Sequence, residues 1–154
     1  MKNRTLVLGI GSPIVCDDAI GLRVLQELGK RGVQGVDLEE ACVSGLDLIE
    51  IMLDHELVII VDAIIQSGHP PGTVMVLSPE DFSDTVHGTN PHEANVATTI
   101  ELGKVLEPDR FPKKVRFVAV EANDVITVTD KMTPEVEAAL ERTVDKVLEL
   151  IAEN

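Results

Sequence analysis

Leu57-Val58-Ile59-Ile60-Val61-Asp62 is the stretch on which the fold turns. Its apolar run is too short for a buried helix and rich in β-branched residues, so it reads as a strand covered on both faces. Such strands belong to parallel sheets with helices above and below. Asp62 then emerges at the strand's carboxyl end, the edge where open α/β sheets place ligands. A carboxylate set directly after a buried strand costs several kcal/mol unless it is paired, hydrated or metal-bound. Capping of the following turn is the plainer alternative.

Outward from this strand the chain alternates. Strand patterns cover 5–10, 35–40, 57–61 and 114–121, and helix patterns cover 18–31, 46–53, 91–106 and 134–152. That order is the signature of βαβ units and a parallel sheet. A short strand at 73–77 follows the turn-forming Gly68-His69-Pro70-Pro71-Gly72, and so close a return predicts an antiparallel neighbour or edge strand. In the first helix Gly21, Val24, Leu25 and Leu28 fall at helical spacing. Asp17 suits its cap, and Lys30, Arg31 and Gly32 mark its end. Thr133 is the expected cap of the last helix, with Val136, Leu140, Val144, Val147, Leu148 and Ile151 as its buried stripe. The predicted architecture is one α/β domain over residues 1–154, a three-layer αβα arrangement. Its sheet is twisted and mostly parallel, of about five strands with one antiparallel edge, and carries helices on both faces.

Charge narrows the partners. With 27 acidic against 13 basic residues the net charge is −14, a field that repels phosphate backbones and anionic lipid headgroups. Neither nucleic acid nor membrane insertion is expected. The apolar runs are strand-sized, and the N-terminus enters a strand pattern with no signal-peptide core, so the expected location is the cytoplasm. Cys16 and Cys42 form no C-x-x-C pair and fit free thiols in a reducing compartment. With no Trp or Tyr and only three Phe, platforms for stacking bases or sugars are nearly absent.

Several motifs then compete for a site. Gly9-Ile10-Gly11 after a strand invites a dinucleotide reading, but the third glycine would fall at Ile14 and two carboxylates follow where a pyrophosphate would sit. These glycines serve a turn. Asp17-Asp18 at a helix start is favoured by capping and by the helix dipole, yet capping needs only one of them. Asp17 takes the cap, and Asp18 projects forward as a ligand candidate. His92 lies in Asn90-Pro91-His92-Glu93, where Asn90 caps, Pro91 takes the first helical position and Glu93 completes a capping-box-like pair. The helix dipole opposes an imidazolium there and favours the neutral ring that a metal requires. His55 is expected at the surface, and His69 and His87 in polar loops. Cys16 paired with His92 would resemble a protease dyad, but the adjacent Asp17 and Asp18 work against a thiolate.

Asp18, Asp62 and His92 together offer three ligands with open positions, a set suited to zinc, nickel or iron. A closed structural site would need a fourth. The residues alone lead to an α/β protein with an exposed, incomplete metal-contacting site. A phospho-receiver-type binding module is the rival, since an acidic pair near the first strand and a later strand-end aspartate would serve it. That rival leaves His92 unexplained.

Read in order, Leu6-Val7-Leu8-Gly9-Ile10-Gly11-Ser12-Pro13, Asp17-Asp18-Ala19-Ile20-Gly21, Val61-Asp62-Ala63 and Pro91-His92 resemble the nickel-iron hydrogenase maturation endopeptidases. Pro71-Gly72-Thr73, Phe111-Pro112-Lys113-Lys114 and Met132-Thr133-Pro134 look like the same family's framework. The resemblance implies a protease that removes a short C-terminal extension from the hydrogenase large-subunit precursor after nickel insertion. It further implies that Asp18, Asp62 and His92 are the metal-contacting catalytic residues. The nickel would be the substrate's own, with no resident cofactor, and other divalent ions could substitute. Such an incomplete set makes chemical sense, because a permanently filled site could not test whether nickel is present. Ser12 stands where Asn is usual, Asp18 where many members have Glu, and Glu40-Ala41-Cys42 where Asp-Gly-Gly is frequent. The last replaces two glycines that the resemblance puts beside the substrate cleft. A nickel-handling module with the same ligands and no hydrolysis is the remaining alternative.

Overall fold

In a computed structural model, which describes residues 2–41, 46–86 and 91–153, the Leu57 run becomes β3 (Leu57–Ile64), buried along its whole length. It lies beside β1 (Thr5–Ile10), equally buried. β2 (Val36–Ala41) is a half-buried edge strand. β5 (Lys114–Glu121) flanks β3 on its other side, and β4 (Val74–Leu77) closes the sheet. The strand order is β2-β1-β3-β5-β4, with only β4 antiparallel. The edge strand predicted at 73–77 is therefore antiparallel, but it pairs with β5, opposite Phe117 to Val120, and not with the strand it follows.

Alternation along the strands sorts the core into two layers. Leu6, Leu8, Ile10, Val58, Ile60, Ile64, Phe117 and Ala119 face α2 (Leu46–Met52), α3 (Pro79–Val86) and α4 (Pro91–Leu106). Val7, Ile59, Val61, Ala63, Val118 and Val120 face α1 (Ile20–Arg31) and α5 (Pro134–Ala152). Full burial of each aliphatic side chain contributes about 1.5–3 kcal/mol. Phe82 of α3 stacks on Phe117 with ring centroids 3.9 Å apart. The α5 stripe is deepest at Val136, Ala139, Val144 and Val147, with Leu140, Leu148 and Ile151 half-buried.

Most element ends fall within two residues of those expected, and the larger differences are at β3 and α3. β3 continues past Val61 because β5 supplies backbone partners, pairing Asp62 with Ala119 and Ile64 with Glu121, so Asp62 lies inside the strand. Helix α3 was not expected. Ser78-Pro79-Glu80-Asp81 carries its start signal, and the Ser78 hydroxyl accepts from the Asp81 amide at 3.1 Å. Among its described side chains Phe82 is the only fully buried large one, too little periodicity to announce a helix.

Candidate active site

The carboxyl edge of the sheet is where β1 and β3 part company. The chain leaving β1 turns to the α1 face, and the path from β3 to β5 runs through α3 and α4 on the other face. That divergence is a topological switch point, and open α/β sheets bind ligands in the crevice outside such a point. Two glycines build its floor. A Cβ on Gly21 would stand 2.4 Å from the Val61 carbonyl, so only glycine lets α1 rest backbone-on-backbone against the end of β3. Gly11 has φ 149°, and a Cβ there would meet the Asp18 carbonyl at 1.9 Å. Its amide donates to Ala41 at 3.0 Å. Asp18 thus lies on the end of β1, where its Oδ2 accepts from the Ser12 amide at 3.0 Å. Gly21 also touches the residue before Asp62, so the backbone that follows Asp18 meets that of β3 at this edge.

The acidic pair divides its labour differently from the sequence reading. Asp17 does not cap α1; the residue before that helix is Ala19, with no side-chain cap, after a 3-10 turn over Cys16–Ala19. The Asp17 carboxylate is fully buried. It accepts from the amides of Asn123 (2.8 Å), Asp124 (2.9 Å) and Thr133 (2.7 Å), and from the Thr133 hydroxyl at 2.8 Å. It buckles the first loop to the β5–α5 connection. Thr133 sits at the cap position of α5, but its hydroxyl serves Asp17 and not the helix. Asp18, partly exposed, is the member of the pair placed toward the crevice.

Asp62 is fully buried, and its Oδ1 accepts from the Ala63 amide at 2.8 Å. By alternation its side chain shares a face with Val58, Ile60 and Ile64, the layer that contains α4. Helix α4 leads down to the amino end of β5, so it runs against the strands and begins at their carboxyl edge. His92 is its second residue. The His92 side chain lies outside the described residues, as do Asn90, His87 and Cys42. Among the described residues no group of three or more His, Cys, Asp or Glu is placed to hold an ion.

Cys16 is buried, and its thiol is pushed up first by burial and then by Asp17 and Asp124. Thiolate chemistry is opposed there, with Asp124 taking the part assigned to Asp18. His55 is not at the surface. It is buried with Nε2 2.9 Å from Asp37 Oδ2 and Nδ1 3.2 Å from the Met52 carbonyl. Asp37 pairs with Leu6 near the amino end of the sheet, away from the crevice. Burial raises the Asp37 carboxyl, but hydrogen bonds from His55 and Asn3 outweigh it and hold it below the usual range. His69 is exposed in a loop, as expected.

Glu121, which the sequence reading passed over, is buried at the end of β5 on the Asp62 side of the sheet. It accepts from the Ser67 amide at 3.2 Å and from the Ser67 hydroxyl. Its signal was present: a carboxylate ends the Val118-Ala119-Val120 run just as Asp62 follows Val61.

Comparison with known proteins gives the same fold and a family. The family described as hydrogenase maturation protease matches residues 22–150, a span that contains Asp62 and His92. The chain is 31% identical to the hydrogenase 2 maturation protease of Escherichia coli (strain K12), over 98% of this chain and 92% of that one. The solved hydrogenase maturating endopeptidase HybD from E. coli superposes with a TM-score of 0.85 at 29% identity, covering 97% and 93% of the two chains. The [NiFe] hydrogenase maturation protease HybD from Thermococcus kodakarensis shares the fold, with a TM-score of 0.79 at 22% identity over 96% and 98%.

Proposed function

The chain belongs to the hydrogenase maturation protease family and is a peptidase, and from that premise we propose that it removes the C-terminal extension of a nickel-iron hydrogenase large-subunit precursor after nickel insertion. The precursor would be recognised by the nickel it carries. The observation behind this reading is the corner at which Gly21 rests on Val61. Asp18 precedes the turn of α1 that makes this contact, Asp62 follows Val61, and α4, which starts with Pro91-His92, belongs to the layer that Asp62 faces.

Asp18, Asp62 and His92 would complete the coordination of the precursor's nickel, two oxygen donors and one imidazole meeting a borderline ion. The bound ion is then the anchor that sets the scissile bond in the crevice. Orientation of this kind is worth roughly 7–11 kcal/mol of barrier in well-aligned systems. The carboxylates at this edge are the groups available to accept a proton from the attacking water. The same reading puts the reaction in the cytoplasm, in keeping with two cysteines and no paired-thiol motif. Among the described residues no helix is long and apolar enough to cross a membrane.

The test mixes the protein with precursor matured with and without nickel and follows loss of the extension by mass spectrometry. Nickel-loaded precursor should be cut, and nickel-free precursor should be slower by orders of magnitude, with no rescue by nickel added to the protease alone. Equal cleavage of both would remove the nickel anchor from the reading.

A further inference from the structure

We infer that the ledge made by the loop after β1 and the loop after β5 docks an apolar segment of the precursor polypeptide beside the crevice; this rests on the processing role proposed above. The two loops are joined as a short parallel pair. The Thr129 amide donates to Ile14 at 2.9 Å and the Cys16 amide to Thr129 at 3.2 Å, bridging Val15 and Thr129. Alternation turns Val15 and Thr129 inward and leaves Ile14 and Val128 side by side in solvent, 56% and 75% exposed. Ile126, two residues before Val128, is 85% exposed.

The backbone behind these side chains is tied down by hydrogen bonds to two carboxylates. The buried Asp17 carboxylate clamps the amides of Asn123, Asp124 and Thr133. The Asp124 carboxylate accepts from the amides of Ile126 (2.8 Å) and Thr127 (2.9 Å) and from the Thr127 hydroxyl (2.6 Å). A structured apolar patch that the chain leaves uncovered marks an interaction surface.

Two observations choose the occupant. Ile14 is two residues from Ser12, whose amide holds Asp18, so the ledge continues the rim of the crevice. An endopeptidase must hold polypeptide on both sides of its scissile bond. Each copy of the chain carries a charge of −14, which opposes docking of a second copy. The exposed Val105 and Leu106 at the end of α4 lie toward the opposite edge of the sheet and have no such continuity with the site.

The experiment measures kcat and KM on nickel-loaded precursor for the wild type and for the double variants Ile126→Ser/Val128→Ser and Ile126→Lys/Val128→Lys. KM should rise roughly 10- to 100-fold with kcat within about twofold, and thermal melting should be unchanged because both side chains are exposed. An unchanged KM in a folded variant overturns the ledge. So does a wild-type dimer that the lysine variant dissolves. Cleavage by the wild type with unaffected variants removes only the ledge, whereas no cleavage by the wild type removes the processing reading. In that case precursor binding by wild type and variants decides the ledge, and equal affinities would overturn it.

Discussion

Neighbouring carboxylates on this chain have opposite duties, and substitution separates them. Asp17 is buried with three backbone amides and a hydroxyl aimed at it. Asp17→Ala would leave those donors unmatched and should destabilise the protein by about 3–5 kcal/mol, read by chemical denaturation. Asp18→Asn, Asp62→Asn and His92→Ala should instead abolish precursor cleavage while melting within a few degrees of wild type. Asparagine at 62 retains an oxygen for the Ala63 amide that Asp62 Oδ1 now accepts. Normal processing by any of the three would unseat that residue. The division between Asp17 and Asp18 was beyond local sequence, because the partners of Asp17 lie 106 to 116 residues away.

At the scale of the element, α1 shows how a helix is seated to make a site. Its start must approach the ends of β1 and β3 closely enough for backbone contact, whereas Gly29 in its last turn has nothing within 4 Å of an added Cβ. Gly21→Ala should therefore push α1 off β3, costing about 1–3 kcal/mol and lowering processing through displaced Asp18. Gly29→Ala should stabilise by roughly 0.5–1 kcal/mol and leave processing alone. Denaturant midpoints and cleavage rates of the two variants check this. Equal responses would mean that the contact at Val61 does not seat the helix. The position of Gly21 on the buried stripe was legible from spacing; its contact with a strand carbonyl was not, because spacing names a face and not the atom opposite.

Across the whole molecule, acid should loosen the amino end of the sheet. The Asp37 carboxyl sits below its ordinary range in the fold, so the charged form is favoured more in the native than in the unfolded state. Its contribution to stability is present above the unfolded value, near pH 4, and is lost as pH falls through the lower folded value. Melting temperatures of wild type and Asp37→Asn, compared from pH 7 down to pH 3, should converge in acid. A constant gap would remove the His55–Asp37–Asn3 cluster as a source of acid sensitivity. By itself the sequence determined the α/β class, the parallel strands, the antiparallel edge and the three site candidates, because buried runs, helical spacing and turn residues are local signals. The tertiary structure alone decided that β5 lies between β3 and β4, that Asp62 is inside its strand, that His55 is buried and that Thr133 serves Asp17. β5, Asp37 and Asp17 stand well away in sequence from the residues they partner, and pairing with a distant group leaves no mark on the residues nearby.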